Sequence, residues 1–82
     1  MKDADLMDEL RDVLGNIAPD VDIATVAADA DLRNDIGLDS MDFLNFVIGV
    51  SKRLGLAVPE ADYRQVATLE KCARYLRGHG LK

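Results

Sequence analysis

The sequence predicts an all-α fold, a small antiparallel four-helix bundle with three main helices and one short helix. Apolar residues recur at helical spacing in three segments, and Gly, Pro and Thr stand where helices would begin or end. No segment alternates apolar and polar residues as a half-buried strand does. The chain has 82 residues, so we expect residues 1 to 82 to form a single domain, near the lower size limit for an unassisted core.

The first helix and the segment after it are predicted from residue spacing. One helical face carries five aliphatic residues: Leu6, Leu10, Val13, Leu14 and Ile17. We expect this helix to end near Gly15 and Asn16. Residues 18–39 show no sustained period and predict a long ordered loop, held by four apolar residues: Ile23, Val26, Leu32 and Ile36. Loops of this length in small domains are often functional.

The remaining helices are bounded by residues that start or stop helices. The second helix is expected to begin at about Ser40 and to stop at Gly55, because glycine readily ends a helix. Its predicted buried side contains Leu44, Val47, Ile48 and Leu54, and core packing is favoured for Phe43 and Phe46. Pro59 is expected to open a short helix, "PEADYRQV". The last helix should start after Thr68 as its cap and bury Leu69, Cys72, Ala73 and Leu76 before "GHG".

The net charge of −5 is unevenly distributed along the chain. Residues 1 to 40 hold eleven Asp or Glu and three Lys or Arg, whereas residues 41 to 82 hold four and seven. An acidic first half repels nucleic acid and anionic membranes, and it favours partners with basic docking surfaces. One cysteine cannot form an internal disulfide, and neither a signal peptide nor a membrane span is evident. We therefore expect a cytoplasmic monomer that binds no nucleic acid.

The stretch "NDIGLDSMDF" contains Ser40, one of two serines in the chain. Gly37 permits a backbone turn that other residues resist, and Ser40 would then lie in the first turn of the second helix. Unpaired backbone N–H groups and the helix dipole favour an anion there, so a phosphate on the hydroxyl would be well placed. A simpler interpretation is that Ser40 is a helix cap, with Asp39 and Asp42 as first-turn acids.

The segment "DIGLDSM" resembles the attachment motif of acyl carrier proteins, whose usual form is Asp, Leu, Gly, any residue, Asp, Ser, Leu. The resemblance covers nearly the whole chain, from about Leu6 to Leu76. A helix ending in an aliphatic residue, a long acidic loop, a serine opening an apolar helix and "VPEADYRQVATLEKCARYL" follow the family order and spacing. This resemblance implies a fold like that of the acyl carrier proteins.

The resemblance also implies a carrier without catalytic activity of its own. A phosphopantetheinyl transferase would attach 4′-phosphopantetheine from coenzyme A to Ser40 as a phosphodiester, using magnesium held mainly in the transferase. The thiol of this arm would carry acyl groups as thioesters, so acyl-loading and acyl-transferring enzymes would be the other partners. A flexible arm lets one tethered substrate reach several enzymes at high effective concentration.

Individual residues take their expected roles from the same resemblance. Ser40 matches the attachment serine, and Asp39 matches the acid before it, which basic residues of the transferase would recognise. Met41 matches an exposed apolar position that contacts partners, and Asp42 matches the acid after that. Two residues match the turn before the serine: Asp35 and Gly37. The resemblance implies that both belong, with Asp39, Met41 and Asp42, to the surface that partners recognise.

The chain departs from the family pattern further along the second helix. Where the family has glutamates that bind fatty-acid enzymes, this sequence has Asn45, Ser51, Lys52 and Arg53. Loss of these acids would remove attraction to basic partner surfaces. The sequence therefore indicates a specialised acyl carrier of a particular lipid or secondary metabolite pathway, with Asn45 and Lys52 on the partner surface.

Two other functions remain open from the sequence alone. An unmodified acidic adaptor would have the same bundle without the arm, and a D-alanyl or aminoacyl carrier would share "LDSM". A serine hydrolase does not fit, because "GLDSMDF" lacks the Gly-x-Ser-x-Gly spacing and the only histidine is His79. A calcium loop does not fit either, since Arg33 stands where an oxygen ligand belongs. Cys72 is expected in the core rather than as a reactive thiol.

Overall fold

A computed structural model describes residues 2–80, and its first helix, α1, is Asp3–Ile17. The predicted stripe is buried: Leu6, Leu10 and Leu14 are fully enclosed. Burying a side chain of this size contributes about 1.5–3 kcal/mol. The helix ends at Ile17, slightly later than predicted, because Ile17 still packs against the core and extends the apolar stripe by one turn.

The loop after α1 contains a short 3-10 helix, Ile23–Thr25, that the sequence did not predict. The side chain of Asp22 accepts a hydrogen bond from the Ala24 N–H at 3.2 Å and starts this turn. The guanidinium of Arg11 on α1 donates to the carbonyl oxygens of Ile23 and Val26, at 2.7 and 2.8 Å. The loop is therefore tied directly to α1.

The predicted apolar anchors hold the rest of this loop against the bundle. Val26 and Leu32 are buried, and Ile23 and Ile36 are partly buried against the core. Leu38, which the sequence did not single out, is also buried. The backbone N–H of Leu32 donates to the Ala67 carbonyl, and that of Glu70 donates to the Ala28 carbonyl, both at 2.9 Å. These contacts account for an ordered loop, as predicted.

The second helix, α2, is Ser40–Leu54, with the predicted bounds. Gly55 follows with φ +69°, the left-handed conformation in which glycine ends a helix at little cost. The buried residues of α2 are Phe43, Phe46, Val47 and Val50. The prediction that Ile48 is buried was wrong: its side chain is 40% exposed. Each helical residue turns by about 100°, so Ile48 points away from the stripe that contains Val47.

The approach of α1 to α2 depends on a small residue. A Cβ atom added to Gly49 would lie 2.9 Å from Cγ1 of Val13, closer than side chains normally pack. Glycine at this position lets the two helices come together. The remaining residues predicted on the buried side of α2, Leu44 and Leu54, are only partly buried.

The short helix and the last helix form a second packed pair. The short one is a 3-10 helix, Glu60–Val66, with Pro59 as the residue before it rather than its first residue. The last helix, α3, is Leu69–Gly78, and the hydroxyl of Thr68 caps it by accepting from the Lys71 N–H at 3.0 Å. Its buried residues are Leu69, Cys72, Tyr75 and Leu76, whereas Ala73 is partly buried. Tyr75, which the sequence did not predict in the core, is buried because it lies three residues after Cys72 on the same helical face, and its hydroxyl also bonds to the short helix.

That bond joins the Tyr75 hydroxyl, as donor, to Oδ2 of Asp62 at 2.6 Å. Because Asp62 accepts this hydrogen bond, the pKa of Tyr75 is raised to about 12. Residues 2–80 thus form three α-helices and two short 3-10 helices around one core, with no strand among them. The predicted all-α class is confirmed, and Ile23–Thr25 is the one helix beyond the predicted four. No helix in this described range is long and apolar enough to cross a membrane.

Candidate functional site

The turn that precedes Ser40 is built by carboxylates binding backbone N–H groups. Oδ1 of Asp31 accepts from the N–H groups of Arg33 and Asn34, both at 2.9 Å. The hydrogen bond from Asn34 is the main cause of a pKa for Asp31 below its usual value of 3.8. Oδ2 of Asp35 accepts from the Asp31 N–H at 2.8 Å, and Gly37 has φ +93°. Asp35 and Gly37 therefore shape the turn itself, as their match to the family motif implied.

The start of α2 separates the roles of its first two residues. Asp39 is the N-cap, and its Oδ1 accepts from the Asp42 N–H at 2.8 Å. Ser40 is the first helical residue, so the interpretation of Ser40 as the cap was wrong. Both residue types cap helices well, and a shift of one residue at the helix start decides between them. The hydroxyl of Ser40 has no capping role and is exposed.

Within residues 2–80, the Ser40 hydroxyl forms a side-chain hydrogen bond with Arg33. Nη2 of Arg33 donates to Oγ of Ser40 at 3.3 Å. Sequence reasoning missed this arginine, which it considered only as a poor calcium ligand. One signal in the sequence could have drawn attention to it: Arg33 is one of only three cations in the first 40 residues, which also hold eleven acids.

A groove opens beside the serine, between α2 and the short helix. Its volume is about 400 Å³, and Arg33 and Ser40 both line it. Its other lining residues are Met41, Phe43, Leu44, Glu60 and Tyr63. Two of these residues, Phe43 and Tyr63, form an edge-on ring contact with centroids 5.9 Å apart. The groove is therefore apolar over most of its wall and charged at Arg33 and Glu60.

The exposed face of α2 continues away from this groove. Met41 is 63% exposed, the exposure predicted for it, and Ile48 joins it as a second exposed apolar residue. Asn45 and Lys52 are exposed as well, whereas Asp42 is half-buried. Residues three and four apart lie on one helical face, so Met41, Asn45, Ile48 and Lys52 form one surface. We call these four residues the α2 face.

Arg53 does not belong to the α2 face. Its Nη1 lies 3.3 Å from Oε2 of Glu9 and also contacts Oδ2 of Asp12, both on α1. The hydrogen bond to Asp12 raises the pKa of the guanidinium above its usual value. Arg53 therefore joins two helices of this fold, and Lys52 beside it is an exposed cation of this turn.

The single cysteine and the single histidine of the chain, Cys72 and His79, both lie on or next to α3, away from Ser40. Cys72 is buried on α3, and burial raises the pKa of its thiol to about 12, so it stays protonated and unreactive near neutral pH. His79 stacks on Tyr75 with ring centroids 4.0 Å apart. Among the hydrogen bonds of residues 2–80, none joins Cys72 or His79 to Ser40. The helical bundle thus presents an exposed serine at a helix start, which is the arrangement that the resemblance to acyl carrier proteins implied.

Comparison with known proteins identifies the kind of carrier. Residues 4–76 match the family model described as the phosphopantetheine attachment site. The acyl carrier protein of Streptomyces coelicolor is 31% identical over 71 residues, covering 87% of this chain and 77% of that protein. Acyl carrier protein AcpXL of Rhizobium etli is 29% identical over 58 residues, covering 71% and 62%. The chain belongs to the acyl carrier protein family.

A solved structure supports the same fold. The acyl carrier protein from Enterococcus faecalis matches with a TM-score of 0.79 at 16% identity, covering 98% of this chain and 100% of that one. Acyl carrier proteins carry a covalent 4′-phosphopantetheine and are carriers rather than enzymes. The residues around Ser40 fit this group, because they offer an exposed hydroxyl, a guanidinium for the phosphate and an apolar groove beside it.

Proposed function

We propose that this protein carries acyl groups as thioesters on a 4′-phosphopantetheine arm attached to Ser40. The observation that supports the proposal most directly is that Ser40 is exposed and does not cap the helix. It is exposed in the first turn of α2, and Asp39 performs the capping that would otherwise explain a serine there. It also lies inside the segment that matches the phosphopantetheine attachment family.

Attachment joins Oγ of Ser40 to the phosphorus next to the pantetheine of coenzyme A. The adenosine bisphosphate half leaves, and the serine proton goes to a base that the transferase supplies. The protein's own part is to hold the hydroxyl in solvent at a helix N-terminus, where the dipole favours the resulting anion. When attached, the arm supplies a thiol that forms an activated thioester.

The proposal includes the setting in which the carrier works. We propose a single carrier domain, monomeric and cytoplasmic, whose partners are a phosphopantetheinyl transferase and the enzymes that load and transfer acyl groups. The acidic first half supports basic partner surfaces and argues against nucleic acid as a partner.

Intact-protein mass spectrometry tests the attachment. The apo chain is incubated with coenzyme A, magnesium and a transferase of broad specificity, beside Ser40→Ala and Ser51→Ala. We expect one added phosphopantetheine in the wild type and in Ser51→Ala, and none in Ser40→Ala. Ser51 is the matched control because it is the other serine and lies on the same helix. No addition to a folded wild-type chain would favour an unmodified adaptor.

We further propose a specialised lipid or secondary metabolite pathway for this carrier. The support is the α2 face, which exposes Asn45 and Lys52 and two apolar side chains without a surface glutamate between them. Such a face attracts basic partners weakly and suits partners with neutral or acidic docking surfaces. Arg53 gives no support, because it binds α1.

A charge substitution tests the pathway proposal. We expect Asn45→Glu combined with Lys52→Glu to raise the turnover of the loaded carrier by enzymes of general fatty-acid synthesis. The control, Asn16→Glu with Lys71→Glu, makes the same change in charge on exposed positions of α1 and α3. An equal rise in both pairs would mean that net charge matters rather than the α2 face. Unchanged rates in the first pair would place docking elsewhere.

A further inference from the structure

The Ser40 hydroxyl uses little of the hydrogen-bonding capacity of the Arg33 guanidinium. At 3.3 Å the contact between them is at the long end for a hydrogen bond, and the serine oxygen is a single neutral acceptor. A guanidinium has five N–H donors in a rigid fork that suits two oxygens of a phosphate or carboxylate. The side chain therefore stands beside Ser40 with most of its donor capacity unmatched by that hydroxyl.

The surrounding carboxylates do not take up this capacity. Asp31 accepts from the backbone N–H of Arg33, not from its guanidinium, and Asp39 accepts from Asp42. Among residues 2–80, no carboxylate oxygen forms a salt bridge with Arg33 within 4.0 Å. Glu60 lines the same groove, but it is not one of the partners of Arg33.

A cation beside Ser40 would reduce the charge repulsion that arises when the serine is modified. A phosphodiester on Ser40 adds a negative charge next to Asp39 and Asp42. Like charges on neighbouring residues repel, and the guanidinium of Arg33 beside Ser40 offsets part of that cost. The other two cations of the first 40 residues are Lys2 and Arg11, and Arg11 is bound to the loop carbonyls.

We propose that Arg33 binds the phosphodiester formed on Ser40 and so holds the first part of the arm over the groove between α2 and the short helix. This inference rests on the proposed attachment at Ser40. The guanidinium already reaches the oxygen through which the phosphate would be linked, so the free oxygens of the phosphate would form next to its N–H donors. The apolar wall at Met41, Phe43 and Leu44 lies directly beside that position.

Phosphorus NMR of the purified holo protein tests the inference without any enzyme assay. The variants are Arg33→Gln, which removes the charge, and Arg33→Lys, which keeps a charge but loses the fork. The matched control is Arg74→Gln, an exposed arginine on α3 that pairs with Glu70 and does not line this groove. Intact mass first shows that each chain carries the arm.

We expect the phosphodiester resonance of the wild type to move as NaCl is raised from about 50 to about 500 mM, because salt screens an exposed ion pair. The Arg33→Gln resonance should start near the high-salt position and barely move, and Arg33→Lys should be intermediate. Arg74→Gln should behave as the wild type does. An exposed pair of this kind shifts the bound-to-free ratio by about twofold to fivefold in low salt.

Two failures are distinguishable. A wild-type chain that takes no arm overturns the proposed function, and this inference with it. A chain that is loaded normally but shows the same resonance and the same salt response with Arg33→Gln overturns the role of Arg33 alone and leaves the carrier function standing.

Discussion

The two ends of α2 both carry charged side chains, but the fold uses them differently. At the last turn, Arg53 binds Glu9 and Asp12 of α1, and Gly55 ends the helix in the left-handed conformation. At the first turn, Asp39 completes the cap and leaves the Ser40 hydroxyl exposed. The charged side chain at one end binds a neighbouring helix, and the carboxylate at the other end leaves a serine hydroxyl available to solvent. Substitutions at each end can separate these roles.

The largest effect on stability is expected at the structural end. Gly55→Ala forces a side chain into φ +69°, which costs about 1–2 kcal/mol for an ordinary residue. Urea denaturation of the apo chain measures the loss. Gly78→Ala is the control, because Gly78 ends α3 without a positive φ and has open space around it. Equal midpoints for the two variants would show that the left-handed turn is not what ends α2.

At the functional end, we expect the cap and the serine to differ. Asp39→Ala should lower the free energy of unfolding by about 0.5–2 kcal/mol, because the Asp42 N–H loses its acceptor. Ser40→Ala should stay within about 0.5 kcal/mol of the wild type, as exposed substitutions usually do. Asp39→Asn should keep most of the cap. A larger loss in Ser40→Ala than in Asp39→Ala would mean that the serine supports the fold.

A smaller effect is expected from the neighbouring cations at the last turn. Arg53→Gln should lower the urea midpoint, and less so in about 0.5 M NaCl, because its contacts with α1 are partly exposed and screened by salt. Lys52→Gln should leave the midpoint unchanged, since its side chain is exposed and belongs to the α2 face. A similar loss in both variants would contradict the distinction between Arg53 and Lys52.

The smallest expected effect is the loss of stability in the turn before Ser40 when Asp31 is protonated at low pH. The pKa of Asp31 is depressed in the folded chain, so its stabilising contribution is complete above about 3.8 and is lost as the pH falls through the lower folded value. Amide NMR signals of Arg33 and Asn34 should titrate with a midpoint below 3.8. In Asp31→Asn this titration should disappear. A midpoint at or above the usual value would mean that the carboxylate does not bind these amides.

The features predicted well from the sequence are the helix ends, which depend on residues within a few positions of the end. The bounds of α2 follow from capping residues and Gly55, and the cap of α3 follows from Thr68. The buried face of α2 was predicted less well, because Ile48 and Val47 are adjacent and the packing of α1 decides which of them is enclosed. Tyr75 was not predicted in the core, and its hydroxyl bonds to Asp62, thirteen residues away, a contact that no local signal indicates.

The candidate site shows the same division. Ser40, Asp39 and Gly37 are recognisable from a short motif. The contact of Arg33 with Ser40 depends on how the intervening turn folds, and the hydrogen bonds of Asp31 and Asp35 set that fold. The groove depends on Tyr63 and Glu60, which approach α2 from a distant part of the chain. Residue spacing along the chain does not predict contacts of this kind, because they depend on the folded path of the turn and of the short helix.

The most direct test of the central claim is to locate the arm within the loaded chain. Cleavage after Arg33 and Lys52 releases residues 34–52, a peptide that contains both serines. Fragmentation of this peptide by tandem mass spectrometry assigns the added phosphopantetheine to one of them. We predict that the fragments place it on Ser40 and leave Ser51 unmodified. Attachment to Ser51, or to a residue outside this peptide, would contradict the account.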